Sequence, residues 1–297
     1  KCIPPIMEGR DVIGLAQTGT GKTAAFVLPI LQRLLQRPRG RVGALIIAPT
    51  RELAEQTCET ITELGRDTRL RDIAIYGGVG MEQQNLRLRS GVDIIVACPG
   101  RLLDHLWRGS VDLSRLETIV IDEADRMFDM GFEPDIRSIL RCVLQRRQTL
   151  LFSATMPDDI RRLVQDILHD PVTIQIGRTA PAVTVSHALY PVGQHLKSAL
   201  LIALLRSTET ESVLVFTRTK IRAERVAREL QQAGYSATSL QGNLSQYRRQ
   251  AALDGFRAGS VKVLVATDVA ARGIDVLSIS HVINYDMPDG VDDYTHR

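Results

Sequence analysis

Residues 11–23 read Asp11-Val12-Ile13-Gly14-Leu15-Ala16-Gln17-Thr18-Gly19-Thr20-Gly21-Lys22-Thr23, and their order decides the fold. A short β-branched and apolar run gives way to a loop of small residues, then to Gly21-Lys22-Thr23 and an apolar segment with helical spacing. Buried strand, loop and helix in that order make one unit of a parallel sheet covered by helices. Small side chains let backbone N–H groups close around phosphate oxygens, and the helix that follows points its positive end at the same place. Ala16, Gln17, Thr18, Gly19, Thr20 and Gly21 then form a phosphate cradle. Lys22 neutralises the outer phosphates, and the Thr23 hydroxyl holds magnesium. The generic pattern begins with glycine, where this chain has Ala16. A glycine-rich turn without a ligand is the plain alternative, but it does not call for strand, Gly-Lys-Thr and helix in this order.

Outward from this unit the same alternation repeats. Short apolar runs at 11–15, 43–48, 73–76, 92–97, 118–121 and 148–152 predict strands buried on both faces. Between 170 and 192 the pattern changes: Pro171, Gly177, Pro181 and Pro191 punctuate a stretch with no helical period, part of which reads as a linker. Strands then resume at 212–216, 237–240, 262–266 and 281–285, with helices over 220–233 and 246–258. A chain of 297 residues exceeds one typical domain. The expected fold is α/β, one architecture used twice: residues 1–176, a linker at 177–192, and 193–297.

The predicted strand at 118–121 runs into Asp122-Glu123-Ala124-Asp125. Adjacent carboxylates leaving an apolar strand are costly unless they meet a cation or polar partners. Asp122 is placed to hold magnesium through its bound water, and Glu123 to orient and deprotonate an attacking water. The alternative is an acidic helix N-cap favoured by the helix dipole.

Composition excludes more than it selects. Four cysteines, Cys2, Cys58, Cys98 and Cys142, form no CxxC pair, so reduced thiols are expected and zinc is not. A net charge of +3 is compatible with nucleic acid without demanding it. No apolar run is long enough to cross a bilayer, and no secretory signal opens the chain. A cytoplasmic monomer is the simplest expectation.

The Asp-Glu-Ala-Asp tetrad and the order of the other motifs resemble the DEAD-box RNA helicases over nearly the whole chain. Pro49-Thr50-Arg51-Glu52-Leu53-Ala54, Gly77-Gly78 and Pro99-Gly100-Arg101 match that family's successive elements, as does Ser153-Ala154-Thr155. So do Val215-Phe216-Thr217, Gln246 with Arg249, the run from Ala266 to Asp275, and His296-Arg297. The resemblance implies two RecA-like domains, ATP and Mg2+ as ligands, and RNA held without base readout. It places Gly273 and Asp275 at the nucleotide. It assigns Pro49, Thr50, Arg51, Gly77, Gly78, Gly100, Arg101, Thr217, Gln246, Arg249, Thr267 and Asp268 to RNA phosphates and 2′-hydroxyls. Ser153 and Thr155 are expected to hydrogen-bond the tetrad and link hydrolysis to closure of the two domains, unless they only cap the next helix. Trp107 reads as packing at a helix end.

This chain departs from the family pattern at Cys98, usually Thr, and at Gln241-Gly242-Asn243, often His-Gly-Asp. The family's adenine-reading segment would precede Lys1 and its finger arginines would follow Arg297, so the printed residues alone are expected to hydrolyse ATP poorly. The stretch from Asp125 to Phe132 looks like the bacterial RhlE-type branch. Two rivals stay open: a slow ATP-driven RNA clamp that unwinds nothing, and a DNA translocase.

Overall fold

The computed structural model describes residues 1–297 apart from 17–18, 144–146, 177–184, 209–210, 269–278, 289, 291–293 and 295–297, and apart from the Gln246 side chain. The chain divides into two compact units, Lys1–Arg178 and Thr179–Arg297.

The first unit is built on β1 (Val12–Leu15), β2 (Ala44–Ile47), β3 (Asp72–Ile75), β4 (Ile94–Ala97), β5 (Thr118–Ile121), β6 (Gln148–Ser153) and β7 (Val172–Gln175). All pair in parallel, in the order β3-β4-β2-β5-β6-β1-β7. Its helices are α1 (Ile3–Met7), α2 (Lys22–Leu34), α3 (Arg51–Leu64), α4 (Met81–Arg89), α5 (Pro99–Trp107), α6 (Ala124–Asp129), α7 (Glu133–Cys142) and α8 (Asp158–Ile167). Strand residues alternate between two cores. Ala44 and Ile46 of β2 join the residues of α1, α2 and α3, whereas Leu45 and Ile47 join those of α5, α7 and α8. Both faces are therefore dry, which is why the strands read as unbroken apolar runs. Each fully buried Ile or Leu contributes about 1.5–3 kcal/mol.

In the second unit β8 (Val213–Phe216), β9 (Ala237–Leu240), β10 (Val263–Ala266) and β11 (His281–Asn284) form a parallel sheet in the order β11-β8-β10-β9. A 3-10 turn, Gln194–Leu196, precedes α9 (Lys197–Ser207), followed by α10 (Lys220–Gln232) and α11 (Gln246–Arg257). Val213 and Val215 pack with α9 and α10, and Leu214 and Phe216 with α11. At the end of β11, the nearly buried Asp286 accepts hydrogen bonds from Lys197 (3.1 Å), Arg222 (2.7 Å) and the Arg218 backbone (2.9 Å). Burial alone would raise its carboxyl pKa, but the bonds from Arg222, Arg218 and Lys197 hold it below the ordinary carboxylate range.

The structure adds a strand where the sequence shows only punctuation. β7 lies between Pro171 and Gly177, and it pairs with β1 at the sheet edge, so only alternate residues, Val172 and Ile174, meet the core. Residues 177–184 of the expected linker lie outside the described residues, and residues 185–190 have no regular structure. Among the described residues no helix is long and apolar enough to cross a membrane.

Candidate functional site

Every described candidate residue of the first unit lies at or just beyond the C-terminal ends of its strands, the edge where parallel α/β sheets carry ligands. Gly14 sets the height of the phosphate loop. A Cβ there would come within 2.4 Å of a ring carbon of Phe152, itself packed on Phe26 at 5.2 Å. Gly19 (φ 77°) and Gly21 (φ 81°) are both left-handed, a conformation that costs other residues about 1–2 kcal/mol. Gly21 is the N-cap of α2 and supplies no side chain to the helix, so the first backbone N–H groups of a thirteen-residue helix are left for an outside acceptor. Lys22 arches back over the loop, its Nζ donating to the Ala16 carbonyl at 2.8 Å, while the Ala16 N–H donates to Ser153 O on β6 at 3.1 Å. Gln17 and Thr18 lie outside the described residues, as do Gly273 and Asp275.

Beside the loop, Asp122 follows the last residue of β5 and is only 2% exposed. Burial first, and then the Glu123 charge, push its carboxyl up to about 7, while Lys22 pulls it down. A cation at this point would hold Asp122 ionised. With the Thr23 hydroxyl it offers hard oxygen donors that suit Mg2+, an ion that keeps several waters and takes its other ligands from phosphates. Among the described residues no group of three His, Cys, Asp or Glu side chains is gathered to hold a metal without such help.

Glu123 sits at φ 51°, in left-handed backbone that a non-glycine residue adopts at a cost of about 1–3 kcal/mol. It occupies the N-cap position of α6 without capping it: its Oε2 takes the Arg126 Nη1 at 2.6 Å, with both side chains 10% exposed. The acidic N-cap alternative therefore does not describe this side chain. Asp125 is the hub of the tetrad. Its Oδ2 accepts from Ala154 N (3.0 Å), Thr155 N (2.7 Å) and Thr155 Oγ1 (3.0 Å), and its own N–H donates to Ser153 Oγ at 3.2 Å. Helix α8 has Pro157 as its N-cap with no side-chain cap, so Ser153 and Thr155 serve the tetrad and not that helix.

Along the other half of the edge, Thr50 caps α3, its hydroxyl oxygen accepting from Leu53 N at 3.3 Å. Pro49 is buried next to it. Arg51 lies 5.9 Å from the Tyr76 ring centre, and the Tyr76 hydroxyl bonds Glu55. Gly77 and Gly78 meet the arginines: a Cβ on Gly78, itself at φ 81°, would stand 2.5 Å from Arg51 Nη1, and one on Gly77 3.9 Å from Arg101 Nη2. The Arg101 Nη1 donates to Val79 O at 3.2 Å and to Gln84 Oε1 at 3.4 Å. Gly100 is exposed near the start of α5, whose N-cap Cys98 makes no side-chain cap bond. Burial, and then the charge of Glu52, push the Cys98 thiol up to about 12, with Arg51 opposing, so a neutral thiol stands where the family usually has a hydroxyl.

In the second unit Thr217 and Thr267 follow β8 and β10, Asp268 comes next, and Gln246 and Arg249 open α11. Thr217 is fully buried, its hydroxyl donating to the Thr219 and Ala266 carbonyls at 3.4 and 3.5 Å; Thr267 is 7% exposed. With Thr50, the three threonines expected to offer surface hydroxyls are all buried; Thr50 caps the start of α3 and Thr217 donates its hydroxyl to the backbone at the end of β8. Trp107, expected to pack at a helix end, is 73% exposed at the end of α5. Sequence reasoning did not single out Asp125, Arg126, Gln84 or Asp286 as working residues. Asp125 lay inside the quoted tetrad, but its partners stand 28 to 30 residues away.

The DEAD/DEAH box helicase family model matches residues 1–163, and the helicase conserved C-terminal domain model matches residues 196–297. The ATP-dependent RNA helicase CshA of Listeria monocytogenes is 46% identical over 298 residues, covering 100% of this chain and 57% of that protein. The RNA helicase CrhR of Synechocystis is 42% identical over 299 residues, covering 100% of this chain and 60% of that protein. This chain thus spans well under two thirds of the length of either relative. The names lend no support to the narrower RhlE-type branch. Among solved structures, Saccharomyces cerevisiae Dbp5 bound to RNA and ADP BeF3 aligns with a TM-score of 0.85 at 32% identity, over 97% of this chain and 75% of that one. A DEAD box protein from Methanococcus jannaschii aligns at 0.58 and 34% identity, over 100% and 80%. With matches of this extent laid over a phosphate loop, an acidic strand end and a Ser-Ala-Thr bridge that the fold gathers at one sheet edge, the chain belongs to the DEAD/DEAH box helicase family.

Proposed function

We propose that this chain is the ATP-hydrolysing, RNA-holding core of an RNA helicase. The observation that carries the reading is the continuity of the site: Lys22 bonds the loop at Ala16, Ala16 bonds Ser153, and Ser153 and Thr155 bond Asp125, three residues from Asp122. The loop from Ala16 to Gly21 and the open N-terminus of α2 receive the phosphates, and Lys22 swings from the Ala16 carbonyl to them. Thr23 and Asp122 would hold magnesium, which when bound neutralises charge between the outer phosphates. Glu123 orients a water in line with the terminal phosphorus and takes its proton as the bond to the ADP oxygen breaks. Arg126 pairs with that carboxylate and fixes its direction.

RNA lies by the Arg51, Arg101 and glycine-doublet surface, where guanidinium groups meet phosphates and the bare backbone of Gly77, Gly78 and Gly100 permits close approach. The buried Pro49 and Thr50 shape this surface from beneath. The second unit contributes Gln246, Arg249, Thr267 and Asp268 to RNA, with Thr217 bracing their strand end, and Gly273 and Asp275 to the nucleotide. Whatever factor bound ATP applies to RNA affinity, bound RNA applies to ATP affinity. The protein works as a monomer in the cytoplasm.

The test is ATP turnover by the whole protein with single-stranded RNA or DNA of one sequence, alongside displacement of a short RNA duplex. RNA alone should stimulate turnover. Glu123→Gln should lower it by about 10²–10⁴-fold while ATP binding persists. Equal stimulation by DNA, or full activity of the Gln variant, would overturn the reading.

A further inference from the structure

The opposite edge of the first sheet carries a feature that the reaction does not use. The N-terminal ends of β1, β5, β6 and β7, together with the C-terminal end of α2, wall a groove of about 840 Å3. Arg10, Arg33, Arg37, Arg115 and Arg147 line it, against the carboxylates of Asp11, Glu117 and Asp170. The carboxylates are already engaged. Asp11 accepts the backbone N–H groups of Thr149 and His169, each at 2.7 Å; Glu117 pairs with Arg37 at 2.9 Å and Asp170 with Arg10 at 3.4 Å. Arg33 is satisfied by Gln148 Oε1 and Ile6 O, each at 2.7 Å.

That leaves Arg115 and Arg147, whose guanidinium groups make no hydrogen bond or ion pair among the described residues. Arg115 is exposed, but Arg147 is half-buried and its Nε is shut off from water without an acceptor. A buried donor in that state is destabilising, and an incoming oxyanion would relieve it. A guanidinium presents a planar fork that matches a carboxylate in two-point contact. Aromatic rings for stacking bases are absent from the described lining apart from His169. The wall also disfavours a continuous polyanion: RNA carries a charge at every nucleotide and would run past Glu117 and Asp170, which are 40% and 86% exposed in their side chains. A peptide can place a carboxylate at the arginines and neutral residues beside the acidic rim.

We propose that this groove docks an acidic peptide segment of a partner protein, with Asp or Glu carboxylates held between Arg115 and Arg147. The site is independent of the helicase reading, because it lies at the far ends of the strands and binds without ATP or RNA. Fluorescence anisotropy of a labelled alternating Glu-Ser peptide, titrated with the whole protein at low salt, tests it against a Gln-Ser peptide. The Glu-Ser peptide should bind saturably and the Gln-Ser peptide should not. Arg147→Gln and Arg115→Glu should each weaken binding about tenfold or more, the loss of one charge-assisted contact, with Tm and ATP turnover unchanged. The Arg115 change, at an exposed side chain, leaves the fold intact and keeps the test decisive. Equal affinity in both variants, or no saturable binding, would overturn the proposal. So would single-stranded RNA that displaces the peptide and loses affinity in the same variants.

Discussion

At the scale of single residues, the site works by sharing: few of its polar atoms serve only one purpose. Asp125 takes three hydrogen bonds on one oxygen, two from backbone N–H groups and one from Thr155 Oγ1. The hydroxyls of Ser153 and Thr155 therefore report on the tetrad without touching the reacting atoms. Replacing both by Ala removes two of the bonds that tie Asp125 in α6 to the end of β6, at a cost of about 1–3 kcal/mol, but leaves Lys22, Asp122 and Glu123 in place. The expected outcome is ATP turnover within a few-fold of the parent and a clear fall in RNA strands displaced per ATP, read in parallel turnover and displacement assays. An unchanged ratio would show that these hydroxyls only brace the strands. The tetrad and the Ser-Ala-Thr triplet were each legible as motifs. Their mutual bonding was expected as well, but not that Asp125 is the member that receives it, because that depends on β5 and β6 lying side by side with Ile121 opposite Leu151.

At the scale of elements, the parallel sheet explains both what could be read and what could not. Strands dry on both faces announce themselves as apolar runs, so β1, β2, β4 and β5 stand out within a residue or two of their bounds. β7 does not, because an edge strand buries one side only and its Pro171 flank looks like a linker. The phosphate loop was legible for a different reason: its glycines are required by positive φ, a local demand that sequence records directly. Gly14 is the less visible case, a glycine inside a strand that makes room for Phe152. Gly14→Ala is expected to destabilise the first unit by about 1–3 kcal/mol, since Phe152 is held by Phe26 and cannot step aside. Thermal unfolding should show a Tm lower by roughly 2–4 °C per kcal/mol. A Tm equal to the parent's would mean that the ring yields freely.

At the scale of the whole molecule, two similar α/β units carry unequal parts of the chemistry. The first gathers the phosphate loop and acidic strand end, while the described part of the second shows a smaller sheet stabilised by the Asp286 cluster. That cluster fixes how the second unit responds to acid. The Asp286 carboxyl is depressed in the fold, so its stabilisation is complete above the unfolded value of 3.8 and fades as pH falls through the lower folded value. Asp286→Asn should therefore cost about 1–3 kcal/mol near neutrality, because Lys197 and Arg222, both partly exposed, lose a charged acceptor. In denaturant unfolding the gap from the parent should hold down to about pH 4 and close below it; a gap unchanged at pH 2 would contradict the assignment. Sequence gave no hint of this cluster, since Lys197, Arg222 and Asp286 come from separate elements and each alone reads as surface charge.

The central claim is that a triphosphate is held by the loop after β1 and attacked beside Asp122 and Glu123. Its most direct measurement is nucleotide binding and RNA-stimulated turnover by Lys22→Ala in the whole protein. Loss of the ammonium that now rests on Ala16 should weaken ATP binding by about tenfold or more and bring turnover to background, with the unfolding midpoint unchanged. A Lys22→Ala protein that bound and hydrolysed ATP like its parent would contradict the account.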